Sequence, residues 1–244
     1  MPDWLHAPIL LAAAFVHGAF GFGFPLIATP LLALLLDMRS AVLLTLIPTV
    51  SINLVSILGE RHWRQALRTF WPIPAFTILG SLLGTQLLLA VDPEPFRALL
   101  AAVLIAYLVS DRLHRAERER RAPPWALALL GLSLGLMAGL VNIFAPVIVV
   151  FALYTRMDPA LMVATFNLSF LTSKSGQILG FVANEAFTLE AVRSSLLVLP
   201  GVLISLWIGI RLRRRIEVGT YKRLLRYALW VIAAVLLGDW LWKL

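Results

Sequence analysis

His17-Gly-Ala-Phe-Gly-Phe-Gly-Phe-Pro25 interrupts an apolar run that extends from about Ile9 to Leu36. Glycines at 18, 21 and 23, followed by a proline, are poor helix material. Where backbone stops being helical inside a bilayer, its N–H and C=O groups lose their partners, which is tolerated only where protein or a polar cavity satisfies them. The stretch therefore reads as a break in a membrane helix, and the rest of the chain is read outward from it.

Of the 244 residues, 60% are hydrophobic and 14% charged, and apolar runs long enough to span a bilayer follow one another almost end to end. That composition describes a polytopic membrane protein with short loops and no room for a soluble catalytic domain. The net charge of +8 comes from arginines beside apolar segments, which points to membrane topology rather than nucleic acid. With no cysteine, disulfides and thiolate metal sites are excluded. The opening Met-Pro-Asp-Trp lacks a basic n-region, so no cleavable signal peptide is expected.

Eight apolar segments are legible, at about 9–36, 38–59, 70–91, 95–110, 125–155, 159–182, 192–211 and 221–242. The first and fifth are long and interrupted, the fifth by Gly139-Leu-Val-Asn-Ile-Phe-Ala-Pro146. An offset of 121 carries Gly18 to Gly139, Pro25 to Pro146, Asp37 to Asp158 and Ile57-Leu-Gly59 to Ile178-Leu-Gly180. An offset of 125 carries Gly84 to Gly209, and Phe96-Arg-Ala-Leu-Leu100 to Tyr221-Lys-Arg-Leu-Leu225. Two repeats are expected, 1–122 and 123–244. The expected fold is all-α, each repeat a broken or re-entrant helix plus three transmembrane helices.

Charge decides between two topologies. Eight full spans would place ten basic residues on each face, against the positive-inside rule. If segments one and five are re-entrant hairpins, one face carries sixteen and the other four: Arg39, Arg97, Arg193 and Lys243. Each repeat then crosses the membrane three times, so the second is inverted relative to the first, a recurring carrier plan. Both termini are then expected outside the cytoplasm. Eight kinked full spans with little charge bias are the alternative.

Lys174 lies mid-segment, in Asn167-Leu-Ser-Phe-Leu-Thr-Ser-Lys-Ser-Gly-Gln177. A lysine at the bilayer centre costs about 2.5–3.5 kcal/mol on insertion scales. Apart from Asp239, near the chain end, none of the eight segments contains an aspartate or glutamate. An anionic substrate is then the expected counter-charge, with capping by carbonyls of a broken helix as the alternative. The repeat offset sets Asn53 opposite Lys174. Thr45, Thr49, Asn53 and Ser56 share one helical face, as do Asn167, Lys174 and Gln177. These stripes either line one central site or hold the bundle together by hydrogen bonds.

Gly18, Gly21, Gly23 and Pro25, with Gly139, Asn142 and Pro146 from the second half, are the expected re-entrant tips, whose bare backbone N–H groups suit an oxyanion. Close helix packing is the alternative for small residues, and the expected role of Gly80-x-x-x-Gly84. Histidine changes charge near neutral pH, so His17 is the candidate for proton coupling, against a purely structural role. The basic runs at 112–121 and 211–215 are expected to set topology and contact lipid, and Trp4, Trp71, Trp125, Trp240 and Trp242 to anchor segment ends.

The glycine-rich break ending in proline, repeated after about 120 residues, and the repeated aromatic-basic-x-Leu-Leu resemble the TauE/SafE family of sulfite exporters. The resemblance covers nearly the whole chain. It implies a carrier in the prokaryotic cytoplasmic membrane moving sulfite, organosulfonates or small carboxylates, with re-entrant positions at Gly18, Gly21, Gly23, Pro25, Gly139 and Pro146. The second stretch is poorer in glycine than the family pattern.

The resulting expectation is a secondary transporter exporting small anions by alternating access, with Lys174, Asn53, Gln177 and Asn167 at the substrate. An anion channel, a membrane-embedded enzyme and a scaffold subunit are the rivals; no nucleophile–base or metal-ligand spacing favours the enzyme. No cofactor or metal is expected. The expected partners are the anion, membrane lipids and a coupling proton or sodium ion, with homodimerisation open and no nucleic acid.

Overall fold

The computed structural model describes residues 6–59, 62–92, 122–144 and 157–212, and single residues between 95 and 109, 147 and 155, and 227 and 238. Among them every regular element is a helix: α1 Ala7–Phe20, α2 Phe24–Ala33, α3 Met38–Gly59, α4 Trp63–Phe70, α5 Pro72–Ala90, α6 Pro124–Val141, α7 Pro159–Ala183 and α8 Leu189–Leu212. The protein is an all-helical polytopic membrane protein. α3, α5, α6 and α8 are each long and apolar enough to cross a bilayer. Segments 95–110 and 221–242 lie largely outside the described residues. So do Pro146, Trp4, Trp240, Trp242 and the run 112–121.

The glycine stretch breaks the first segment. α1 has 14 residues and α2 has 10. At 1.5 Å per residue they are about 21 and 15 Å long, each short of a hydrocarbon core of about 30 Å. Gly21 closes α1 at φ 82°, its N–H donating to the His17 carbonyl at 2.6 Å. Gly23, at φ 114°, precedes α2, and Pro25 stands in that helix's first turn. These left-handed angles explain why glycine is needed at 21 and 23.

Position 142, 121 residues after Gly21, does the same thing in the second half. Asn142 ends α6 at φ 59°, its N–H donating to the Ala138 carbonyl at 2.9 Å. Asparagine is among the few side chains that adopt this conformation readily.

Asp37 and Asp158 also act alike. Asp37 Oδ1 accepts from the Arg39 and Ser40 N–H groups at 3.0 and 3.1 Å, where α3 begins. Asp158 Oδ1 accepts from those of Ala160 and Leu161 at 2.9 and 3.3 Å, where α7 begins. Losing such a cap costs about 1 kcal/mol. Asp37→Ala and Asp158→Ala are each expected to lower unfolding free energy by about that much while leaving transport per folded molecule unchanged, checked by thermal melting alongside a flux assay.

Glycines set which helices touch. A Cβ on Gly18 would stand 2.2 Å from the Leu206 carbonyl oxygen, and one on Gly209 2.2 Å from that of Phe15, so α1 and α8 meet backbone to backbone. Gly80 and Gly84 of α5 likewise meet Gly135 and Gly139 of α6, and Gly131 meets the backbone of Pro72 and Ile73. This corrects the expected role of Gly18 and Gly139. Both lie inside helices, one turn before the breaks, and their missing side chains permit close packing rather than forming tips.

Two further differences concern the third segment. The stretch between the apolar segments 38–59 and 70–91 contains a helix, α4 at 63–70, which is strongly amphipathic, buries Ala66 and packs on α7. The Arg64 guanidinium lies over the Trp63 ring at 5.2 Å. Arg39, counted above only as a topology charge, reaches across to the end of α5. It donates to the Leu88 and Val91 carbonyls at 3.0 and 2.6 Å, satisfying groups the helix leaves open. Trp71 and Trp125 are exposed at the starts of α5 and α6, as interfacial anchors should be.

α7 lies among α3, α4, α5 and α6. Its 25 residues carry Thr165, Asn167, Ser169, Ser173, Lys174 and Gln177, all buried. A helix this polar persists in a membrane only when neighbouring helices cover it.

Candidate functional site

Lys174 is fully buried on α7. Its ammonium donates to two neutral oxygens, Asn142 Oδ1 and Gln177 Oε1. Gln177 lies one turn further along the same helix, and its Nε2 donates to the Ala138 carbonyl at 2.7 Å, in the last turn of α6. Asn142 is the hub. While its oxygen accepts from Lys174, its Nδ2 donates to Thr29 Oγ1 at 2.9 Å and to Thr45 Oγ1 at 2.8 Å. Thr45 passes its own proton to the Val42 carbonyl at 2.8 Å. The cluster thus joins α2, α3, α6 and α7, and all five side chains are sealed from solvent.

Electrostatically the cluster is one positive charge without a carboxylate partner among the described residues. Two amide dipoles and the C-terminal end of α6, which carries partial negative charge, support it. The capped-lysine reading is therefore part of the answer: the second break does cap Lys174. What the cap lacks is a full negative charge. Two of the three ammonium N–H bonds are used, and the third has no partner among the described residues.

The first break forms a second cluster. His17 Nε2 lies 3.1 Å from Ser56 Oγ, and His17 Nδ1 accepts from the Phe24 N–H at 3.4 Å. The latter fixes the neutral ring with its proton on Nε2. It also occupies an N–H of α2 that was expected to face an anion. Asn167 Nδ2 donates to the Gly21 carbonyl at 2.8 Å. Asn53, one turn before Ser56, donates only to the Thr49 carbonyl of its own helix, at 2.7 Å. Hydrogen bonds bring Lys174, Gln177 and Asn142 together, while Asn53, Asn167, Gly21 and His17 gather at the other break. Gly23 and Pro25 begin α2, Gly18 and Gly139 pack helices, and Pro146 lies outside the described residues.

Four phenylalanines bridge the clusters. Phe22 of the first break stacks on Phe166 at 5.1 Å, and Phe144, just past the second, stacks on Phe170 at 3.9 Å. Phe166 lies 6.1 Å from Phe144. Both breaks therefore meet along α7, where Asn167 and Lys174, seven residues apart, are about 10 Å apart along the axis. Neither this stack nor Thr29 stood out in the sequence. Phe166 and Phe170, spaced i, i+4 on the face of Lys174, were a usable signal; nothing local marks Thr29.

A family model described as "Sulfite exporter TauE/SafE" matches residues 6–236. The chain belongs to the TauE/SafE family. That makes it a member of a family of membrane transporters for sulfite and related anions, and the buried ammonium is chemically consistent with such cargo. No curated protein and no solved structure matches the chain.

Proposed function

We propose that this TauE/SafE chain is a secondary carrier that exports a small sulfur oxyanion, sulfite or an organosulfonate, across the cytoplasmic membrane. One observation carries the reading: among the described residues, the fully buried Lys174 ammonium is held only by the neutral oxygens of Asn142 and Gln177. A sulfonate or sulfite group would supply the missing charge and accept the third N–H. Charge-assisted hydrogen bonds of this kind are about twice as strong as neutral ones. The adjacent phenylalanines exclude water and leave the anion few competing donors.

The carrier reading rather than a channel is supported by a site with every polar side chain sealed. Rocking two inverted repeats, 1–122 and 123–244, would open it alternately to each face. Left-handed caps at 21 and 142 and N-caps at 37 and 158 favour the repeat. Saturable flux that exchanges with counter-substrate is expected; linear, non-exchanging flux would mean a channel.

The deciding experiment puts a carboxylate where the anion would go. Asn142→Asp gives Lys174 an internal partner. It is expected to melt no lower than the parent and to lose sulfite and sulfonate binding by at least about 30-fold, as about 2 kcal/mol of charge pairing is pre-empted. Binding is read by isothermal titration or thermal shift, with sulfite, sulfonates, thiosulfate and small carboxylates as the panel. Unchanged affinity would remove Lys174 from the substrate site.

A further inference from the structure

The Asn53 and Asn167 side-chain oxygens are buried and have no hydrogen-bond partner among the described residues. Both residues border the first break: Asn167 through its bond to the Gly21 carbonyl, Asn53 through its place one turn from Ser56, which holds His17. The break is also the C-terminal end of α1, where carbonyls lose their helical partners and partial negative charge collects. Unpaired buried oxygens at such an end call for a donor or a positive charge.

The second half shows what charge that is. Adding 121 takes Gly21 to Asn142, Asn53 to Lys174, Ser56 to Gln177 and His17 to Ala138. The contact between 17 and 56 recurs between 138 and 177. At the end of α6 the position equivalent to Asn53 therefore carries a tethered ammonium. At the end of α1 the same position carries a neutral amide with a free oxygen. We infer that the first break binds a small monovalent cation, sodium, through Asn53 Oδ1, Asn167 Oδ1 and terminal carbonyls of α1, in the place that the Lys174 ammonium takes in the second half. Neutral oxygen ligands suit a hard monovalent ion; divalent ions of this class are usually held with carboxylates. This inference rests on the repeat reading above. Its role would be to couple anion movement to a cation gradient, with the two charges about 10 Å apart along α7.

The test uses purified full-length protein without substrate anion. Melting is followed while sodium gluconate replaces choline gluconate at constant ionic strength. A saturable rise in Tm is expected with sodium. Asn53→Leu, which gives up only a bond within its own helix, should abolish that rise, and Asn53→Asp should lower the half-saturating sodium concentration at least tenfold. Lys174→Met should leave the sodium response intact while removing the response to sulfite measured in choline. The inference is overturned if sodium gives no saturable shift, or if Asn53→Leu and Asn53→Asp both respond like the parent. A sulfite response that survives in Lys174→Met would instead strike at the anion reading alone.

Discussion

Lys174→Met is expected to fold and to lose anion binding by about 100-fold or more. Methionine matches much of the lysine stem and leaves out the charge. Removing a buried charge is often neutral or stabilising by about 1–4 kcal/mol. Against this, Asn142 Oδ1 and Gln177 Oε1 lose their donor, at about 1–3 kcal/mol for each group left unsatisfied. The terms are of similar size, so Tm should move little. Binding has no such compensation: an oxyanion would enter a sealed site with its ammonium gone, forfeiting about 3 kcal/mol or more of charge-assisted bonding. Lys174→Arg restores the charge but not the fit, since the guanidinium is planar and larger where the ammonium is compact, and is expected to recover binding only in part. Titration of sulfite into each variant, with melting in parallel, checks the prediction. A Lys174→Met protein that binds as tightly as the parent would end the counter-charge argument.

Gly18→Ala and Gly139→Ala are expected to be strongly destabilising single-methyl changes. The added carbon would stand 2.2 Å from the Leu206 carbonyl oxygen in the first case and 2.5 Å from that of Ser81 in the second. Neither obstacle is a flexible side chain. To restore ordinary contact the paired helices must part by more than an ångström, and each pair is held by glycines facing glycines: Gly18 with Gly209, Gly84 with Gly139. Overpacking commonly costs about 1–3 kcal/mol, and backbone obstacles put these two at the upper end. Gly59→Ala is the control, because nothing lies within 4 Å of its added carbon. There the change should be neutral or slightly stabilising, by up to about 1 kcal/mol. Thermal melting of the three purified variants orders them; equal melting points would mean that α1–α8 and α5–α6 tolerate separation.

Much of the site was legible residue by residue, because cost is a local property. A lysine among leucines is anomalous wherever its neighbours lie, which singled out Lys174; Gln177 was noted for sharing its helical face and Asn142 for its place in the second break. Their grouping was less legible. Asn53 was set opposite Lys174 by the repeat offset, which the matching left-handed caps at 21 and 142 favour. But equivalent positions in two repeats occupy two places, one at each break, rather than one shared place. The glycines were misassigned for a related reason. Gly18 and Gly21 are the same residue three positions apart, and only a φ of 82° at Gly21 and an α8 carbonyl against Gly18 tell a hinge from a contact.

The amino-acid sequence by itself determined the membrane class, the break at Gly21–Gly23 and the misfit of Lys174. These follow from hydropathy, backbone preference and desolvation, which act within a few residues of their source. Tertiary structure alone decided that Asn142 is the hub, that Thr29 and Thr45 serve it, that the phenylalanines join the two breaks and that Asn53 and Asn167 keep bare oxygens at the first. Each of those depends on partners 32 to 146 residues apart, and distance along a chain carries no information about which of many buried polar groups will meet until the helices pack.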